Sequence, residues 1–253
     1  MHKQSKMQEE TKPEWFACWF DTSYYHLLYR NRDHSEAERF MDNLTGLIQP
    51  QKGCRILDLA CGKGRHSIYL NQKGFDVTGI DLSRHSIESA KKSENDHLHF
   101  YVHDMRKLFR TNYFDIVLNL FTSFGYFENE RDNNAVISAA AKALKPGGIF
   151  VLDFMNSTKV IAGLKPEYHV SVEGIDFLIR KRMENNIIVK EIEFTDKGKK
   201  HNYTEKVRAF TANELKALFE NNGLKIVHLR GNYQLEEFDE TRSERVVLIG
   251  RKD

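Results

Sequence analysis

The residues best placed to do chemistry are the run Asp58-Leu59-Ala60-Cys61-Gly62-Lys63-Gly64 and an aspartate further on, Asp81. Glycine accepts the positive φ of a sharp turn and lets the backbone approach a ligand where a side chain would block it. Residues 55–60 form a short apolar run suited to a buried parallel strand. Residues 65–73 read as a helix, with Gly74 as a left-handed stop. A glycine turn between strand and helix aims the helix's first amides at whatever lies above it. Segment 76–80 is a second strand, and Asp81 at its end can accept both hydroxyls of a ribose. The expected ligand is therefore nucleotide-like.

A nicotinamide dinucleotide and S-adenosylmethionine both suit that geometry. The dinucleotide fingerprint asks for Gly-x-Gly-x-x-Gly, the third small residue allowing close packing of helix on strand. Ser67 stands at that position and is small, so spacing alone decides little. Charge decides more. A carboxylate at Asp58 would repel a pyrophosphate and attract a ligand bearing an ammonium and a sulfonium. The order Asp58-x-Ala60-Cys61-Gly62-x-Gly64, then Gly79-Ile80-Asp81-Leu82-Ser83, resembles the class I S-adenosylmethionine-dependent methyltransferases that act on small molecules. The likeness continues through His103-Asp104-Met105, Phe114-Asp115-Ile116-Val117-Leu118 and Leu144-Lys145-Pro146-Gly147-Gly148. Motifs in fixed order over about 100 residues are far more specific than one glycine loop. Cys61 departs from the glycine that many members carry there.

The resemblance implies a Rossmann-like α/β fold, a seven-stranded doubly wound sheet with S-adenosylmethionine as cofactor. It implies cofactor contacts at Asp58, Ala60, Cys61, Gly62, Gly64, Asp81, Leu82, Asp104, Met105 and Asn119. Asp81 would fix the ribose, Asp104 with the Met105 amide would read the adenine edge, and Asp58 with the loop would hold the amino-acid end. The segment Tyr25-x-x-x-Tyr29-x-x-Arg32 is similar to one in amino-sugar N-methyltransferases that folds over the methionyl end. Carried over, Tyr25 and Tyr29 would face the cofactor and Arg32 would pair with its carboxylate. Without the resemblance, tyrosines this dense read as amphipathic core.

Ser123-x-Gly125-Tyr126 follows the fourth strand-like run and resembles the acceptor side of small-molecule members, which puts Tyr126 beside the acceptor as the catalytic candidate. The Pro-Pro signature of nucleobase amino methylation and a Pro-Cys nucleophile are both absent from the sequence. The reaction expected is in-line methyl transfer to an oxygen or nitrogen, its rate coming from alignment and exclusion of water. Tyr25 or Phe121 could shelter the sulfonium with a ring face. An amine acceptor need only be neutral, whereas a hydroxyl needs a base, for which His26, His103 and Tyr126 are candidates.

These residues need a scaffold, and the rest of the chain supplies it. Strand-like runs near 98–103, 114–120 and 148–154 alternate with helical stretches at 84–92 and 132–144. Thr211 with Glu214 forms a capping-box pattern over a helix at 211–221, and 224–232 with 244–251 reads as a closing antiparallel pair. Between 166 and 209 the period changes to two, with turns at Gly174, Asn185-Asn186 and Asp196-Lys197-Gly198, which predicts an inserted antiparallel sheet. The organisation expected is a tail and cofactor-covering segment at 1–34, a core at 35–165 and 210–253, and the insertion. The inserted sheet is either a lid over the acceptor or a homodimer interface.

The 253 residues carry a net charge of +2 and 40% hydrophobic residues, with a mean hydropathy of −0.57. No apolar run reaches the roughly 18 residues that span a bilayer. The basic clusters 180–182 and 197–200 have acidic neighbours, so a nucleic-acid partner is not expected. Three cysteines without metal-ligand spacing indicate no metal site and a reducing cytoplasm. Three other readings stay open: a non-catalytic S-adenosylmethionine-binding protein, an RNA-modifying methyltransferase, and an NAD-dependent oxidoreductase.

Overall fold

A computed structural model of the chain describes residues 14–30 and 34–253. The tail expected before Glu14, and Arg32, lie outside the described residues. The elements run α1 (Trp15–Trp19), α2 (Ser23–Leu28), α3 (His34–Ile48), β1 (Arg55–Leu59), α4 (Arg65–Gln72), β2 (Asp76–Asp81), α5 (Arg84–Ala90), β3 (Leu98–Val102), β4 (Phe114–Asn119), α6 (Glu130–Ala143), β5 (Leu144–Met155), α7 (Ser157–Ala162), β6 (Glu167–Val172), β7 (Ile175–Glu184), β8 (Ile187–Asp196), β9 (Lys199–Arg208), α8 (Ala212–Glu220), β10 (Leu224–Arg230) and β11 (Arg245–Lys252).

The main sheet has the order β10-β11-β5-β4-β1-β2-β3, with β1 to β5 parallel and β11 antiparallel to both its neighbours. Both faces are covered, which is why its strands are continuous apolar runs rather than alternating ones. Phe40, Met41, Leu70 and Ile87 from α3, α4 and α5 pack one face, and Val136, Ile137, Leu215 and Phe219 from α6 and α8 pack the other. Phe219 stacks on Phe150 of β5 at 4.9 Å. The order reverses between β1 and β4, and in such sheets the crevice at that point, beyond the strands' carboxyl ends, is where ligands bind.

The insertion is a separate four-stranded sheet, β6-β7-β8-β9. Its hairpins turn on Glu173-Gly174, Asn185-Asn186 and Lys197-Gly198, each a pair with positive φ, as two-residue turns between right-twisted strands require. The capping box of Thr211 and Glu214 forms at the start of α8. Helices α1 and α2 lie on the inserted sheet. Trp19, Leu27 and Leu28 join Phe177, Ile179 and Ile192 in one apolar cluster, and the Trp19 indole donates to Glu205 of β9 at 2.7 Å. Among the described residues, no helix is long and apolar enough to cross a membrane.

Candidate active site

Two cavities lie over the carboxyl ends of the strands. The first, about 890 Å³ with its mouth, is lined by the β1–α4 turn at Ala60 and Gly62, the β2 end at Asp81 and Leu82, and the segment Asp104-Met105 after β3. The turn is held open by backbone strain and glycine together. Ala60 has φ 57° and Gly62 φ 56°, and a Cβ on Gly62 would meet nothing within 4 Å. Gly62 therefore faces space. Gly64 does not line the cavity, and a Cβ there would sit 2.5 Å from the Phe100 ring. Its smallness serves helix–sheet packing.

The Asp81 carboxylate accepts from the Gly62 amide through Oδ2 and from the Ser83 amide through Oδ1, both at 2.8 Å. Burial pushes its pKa up, and the two amides act against that shift. Each oxygen keeps a second lone pair for a ligand hydroxyl. Asp104 is clasped by Arg106, whose Nε and Nη2 stand 3.0 and 2.7 Å from Oδ2. Burial alone would raise the Asp104 carboxyl, but the guanidinium prevails and holds it below its ordinary value.

Three other residues expected at the cofactor lie beneath this surface. Asp58 is 2% exposed, does not line the cavity, and accepts from Ser67 Oγ at 2.6 Å. Burial lifts its carboxyl to about 7. Cys61 is buried, with its Sγ 2.8 Å from where a Gly79 Cβ would be, so its thiol fills the loop's underside. Asn119 is 0% exposed; its Nδ2 donates to the Leu59 carbonyl, and its Oδ1 has no partner among the described residues. Alternation along a strand puts such residues on the packed face when the loop above turns away.

The second cavity, about 1270 Å³ with its mouth, lies between the main sheet and the inserted one. Phe20, Tyr25, Phe121 and Tyr126 line both cavities and form the wall between them. Tyr29, expected at the cofactor, lines only the second: its hydroxyl donates to Glu205 and receives the Lys190 ammonium. The Tyr126 hydroxyl donates to the Thr122 carbonyl. His103 contacts the Lys107 carbonyl, whereas His26 lines the first cavity with a buried Nε2 that has no hydrogen-bond partner among the described residues. Burial first, then Lys63 and His85, lower the His26 pKa.

The wall is itself held under strain. Phe121 and Thr122 have φ of 58° and 61°, costly for residues with a Cβ and most so for a β-branched one. Asp153 of β5, 0% exposed, offsets this. Its Oδ2 takes the Phe121 amide at 2.7 Å, its carbonyl takes the Thr122 amide at 3.0 Å, and its Oδ1 takes Arg245 Nε at 2.8 Å. Arg245 Nη2 in turn donates to Thr122 Oγ1 at 3.0 Å. Phe121 then stacks on His66 at 4.8 Å.

A strand-end carboxylate for ribose, an open glycine turn and an orphaned buried imidazole nitrogen fit an adenosyl cofactor with an amino-acid tail. Residues 56–148 match the family described as a methyltransferase domain. Over that stretch the chain resembles a methyltransferase domain. The Bacillus subtilis protein YqeM, named as a methyltransferase, is 40% identical over 116 residues, 44% of this chain and 46% of that one. The dTDP-3-amino-3,4,6-trideoxy-alpha-D-glucopyranose N,N-dimethyltransferase of Streptomyces venezuelae is 26% identical over 221 residues, 82% of this chain and 91% of that one. That sugar enzyme apart, the chain spans about half the length of the curated relatives it matches. A S-adenosylmethionine-dependent methyltransferase from Clostridium acetobutylicum has the same fold, with TM-score 0.77 at 20% identity over 90% of this chain and 96% of that one.

Sequence reasoning missed the polar residues of the second cavity: Lys181, Lys190 and Glu205 in the insertion, and Arg245 and Tyr233 near the chain's end. One signal for the last group was present. Asp153 is a charge inside the apolar run of β5, and a buried charge needs a partner.

Proposed function

We propose that this chain transfers the methyl group of S-adenosylmethionine to a nitrogen of a small molecule held in the second cavity. The observation that carries this is the shared wall: four aromatic side chains border the first cavity on one side and the second on the other. A sulfonium at that wall meets ring faces, which stabilise its charge, and little water. Asp81 holds the ribose, Asp104 and Met105 border the adenine, and His26 and the Gly62 turn take the methionyl end. The cofactor supplies an activated methyl; the chain's part is to align the two reactants and keep water out.

Nitrogen is favoured over oxygen because the wall offers no free base. Phe20 and Phe121 carry no basic atom, and the Tyr126 hydroxyl is committed to Thr122. An amine needs only to arrive neutral. The similarity to an amino-sugar dimethyltransferase points the same way. We assign the inserted sheet to this chamber and not to a dimer interface, since its inner face already carries α1, α2 and the cavity. The reading keeps the cytoplasm as compartment, with Cys18, Cys54 and Cys61 as free thiols.

The test is release of S-adenosylhomocysteine with matched acceptors: glucosamine against glucose, glycine against glycolate, ethanolamine against ethylene glycol. Turnover on an amine and none on its hydroxyl partner is expected. Equal turnover on a hydroxyl partner would move the assignment to oxygen. A melting scan that responds to NADH and not to S-adenosylhomocysteine would remove the methyltransferase reading altogether.

A further inference from the structure

Along β7 the charges of the outer face are matched, and one on the inner face is not. On the outer face of β7, Arg180 pairs with Glu167 and Glu193, and Arg182 pairs with Glu184 and Glu191. Lys181, between them, points to the opposite face by strand alternation and lines the second cavity. Among the described residues it has no ion pair and no side-chain hydrogen bond; its ammonium lies 5.1 Å from the Tyr168 ring.

Lys181 also sits directly across from a second lysine. The register of β7 with β8 places it opposite Lys190, and that of β8 with β9 places Lys190 opposite Glu205. The inner row therefore reads plus, plus, minus across three strands. Lys190 is 9% exposed and 3.5 Å from Glu205, with Tyr29 also on it. Glu205 is thus committed to Lys190, and among the described residues no acidic side chain pairs with Lys181. Like charges directly opposite on adjacent strands are destabilising. A sheet that pairs the flanking outer arginines, yet sets two lysines opposite each other at a cavity wall, has a place for an anion. The cavity's other charges do not supply it. Arg245 is matched by Asp153, and Glu36 acts on Arg245 and Tyr233 at that other side of the chamber.

We propose that Lys181, with Lys190 behind it, is the subsite for an anionic group of the acceptor, a carboxylate or a phosphate. This rests on reading the second cavity as the acceptor chamber. An ammonium serves either anion as a point charge, and the aromatic lining lowers the local dielectric and strengthens the attraction. The acceptor class is then an amine that carries an acidic group at its far end, the nitrogen at the aromatic wall and the anion on the inserted sheet.

The experiment uses the full chain saturated with S-adenosylhomocysteine. Its melting point is recorded against sodium pyrophosphate, sodium succinate and sodium chloride at equal ionic strength. Pyrophosphate or succinate should raise it beyond chloride, and which of the two does so tells phosphate from carboxylate. In Lys181→Met the affinity for that anion should fall by about ten- to a hundredfold. Arg180→Gln, from the outer face, should leave it unchanged. Without anion, Lys181→Met should melt no lower than the parent, because it removes a like-charge contact; a purely structural lysine would give the reverse. No response beyond chloride, or equal responses in parent and Lys181→Met, overturns the proposal. The readout needs no methyl transfer, so a failed amine panel and a failed anion response are separate results.

Discussion

Asp58 is the residue through which pH should reach both stability and cofactor binding. Burial lifts its folded-state carboxyl to about 7, against an ordinary 3.8, with the Ser67 hydrogen bond opposing the rise. Between those values the folded chain keeps a proton that the unfolded chain has released. The stabilisation this gives is complete below about pH 4, fades as pH climbs to about 7, and is gone above it. At 1.36 kcal/mol per decade of proton activity, the full span is about 4 kcal/mol, of which roughly 2–3 kcal/mol is lost between pH 5 and pH 8. Asp58→Asn keeps an oxygen for Ser67 Oγ but cannot ionise. Urea unfolding of parent and variant should therefore agree near pH 4, while at pH 8 the variant is the more stable by up to about 4 kcal/mol. The functional counterpart has the opposite sign. S-adenosylmethionine carries a sulfonium that S-adenosylhomocysteine lacks, so the ratio of their affinities isolates that charge. In the parent this ratio should move toward S-adenosylmethionine as pH passes about 7 and Asp58 ionises; in Asp58→Asn it should stay flat. A parent ratio that does not change with pH, together with unfolding curves that run parallel to the variant's, would refute the argument that this carboxyl holds its proton beneath the loop up to about pH 7.

Other perturbations separate ligand contact from packing. Asp81→Ala removes a carboxylate that faces the cavity and leaves the Gly62 and Ser83 amides without their acceptor; S-adenosylhomocysteine binding by calorimetry should weaken by roughly 2–3 kcal/mol, about 30- to 150-fold. Gly64→Ala drives a methyl into the Phe100 ring at φ 79°, so it should cost roughly 2–4 kcal/mol in urea unfolding. Gly62→Ala, with open space at its Cβ, should cost only about 1 kcal/mol of stability and act mainly on cofactor affinity; the reverse ranking would mean the turn is misplaced. Asp153→Asn weakens a buried ion pair with Arg245 and should lower stability by about 3 kcal/mol. Because the single side-chain oxygen of asparagine cannot accept from both the Phe121 amide and Arg245 Nε, the hold on the wall loosens and the His66 ring-proton resonances should shift as the stacked ring moves, a change a distant loss of stability would not produce.

Where the sequence spoke clearly, the signal was local. Buried parallel strands are apolar throughout, the capping box occupies four adjacent residues, and the hairpin turns announce themselves in pairs such as Asn185-Asn186. The gathering of Ala60, Gly62, Asp81, Leu82, Asp104 and Met105 around one cavity was legible for the same reason, since all sit within or just after a strand end that the motif defines. The direction of a side chain at such an end was less so. A run such as Asp58-Leu59-Ala60-Cys61 does not say where the chain leaves the sheet, and one residue decides whether a group faces ligand or core. That is why Asp58, Cys61 and Asn119 lie under the surface they were expected to line.

The second cavity was illegible for a different reason: its polar residues meet only through pairings far apart in the chain. Arg245 reaches Asp153 because β11 returns antiparallel beside β5, placing Arg245 opposite Met155, and Lys181 reaches Lys190 and Glu205 because β7, β8 and β9 share one register. No window of sequence contains either group. Each nevertheless left a mark that a stricter accounting of charge could use. Asp153 is ionisable inside the apolar run Ile149–Phe154, and in a strand covered on both faces such a group must find a cation elsewhere in the fold. Once the hairpin turns fix the register of the insertion, Lys181 opposite Lys190 follows by counting back from Asn185-Asn186. A charge that the sequence leaves unmatched thus points outward, to a partner strand for Asp153 and, on the proposal made above, to a ligand for the half-buried Lys181.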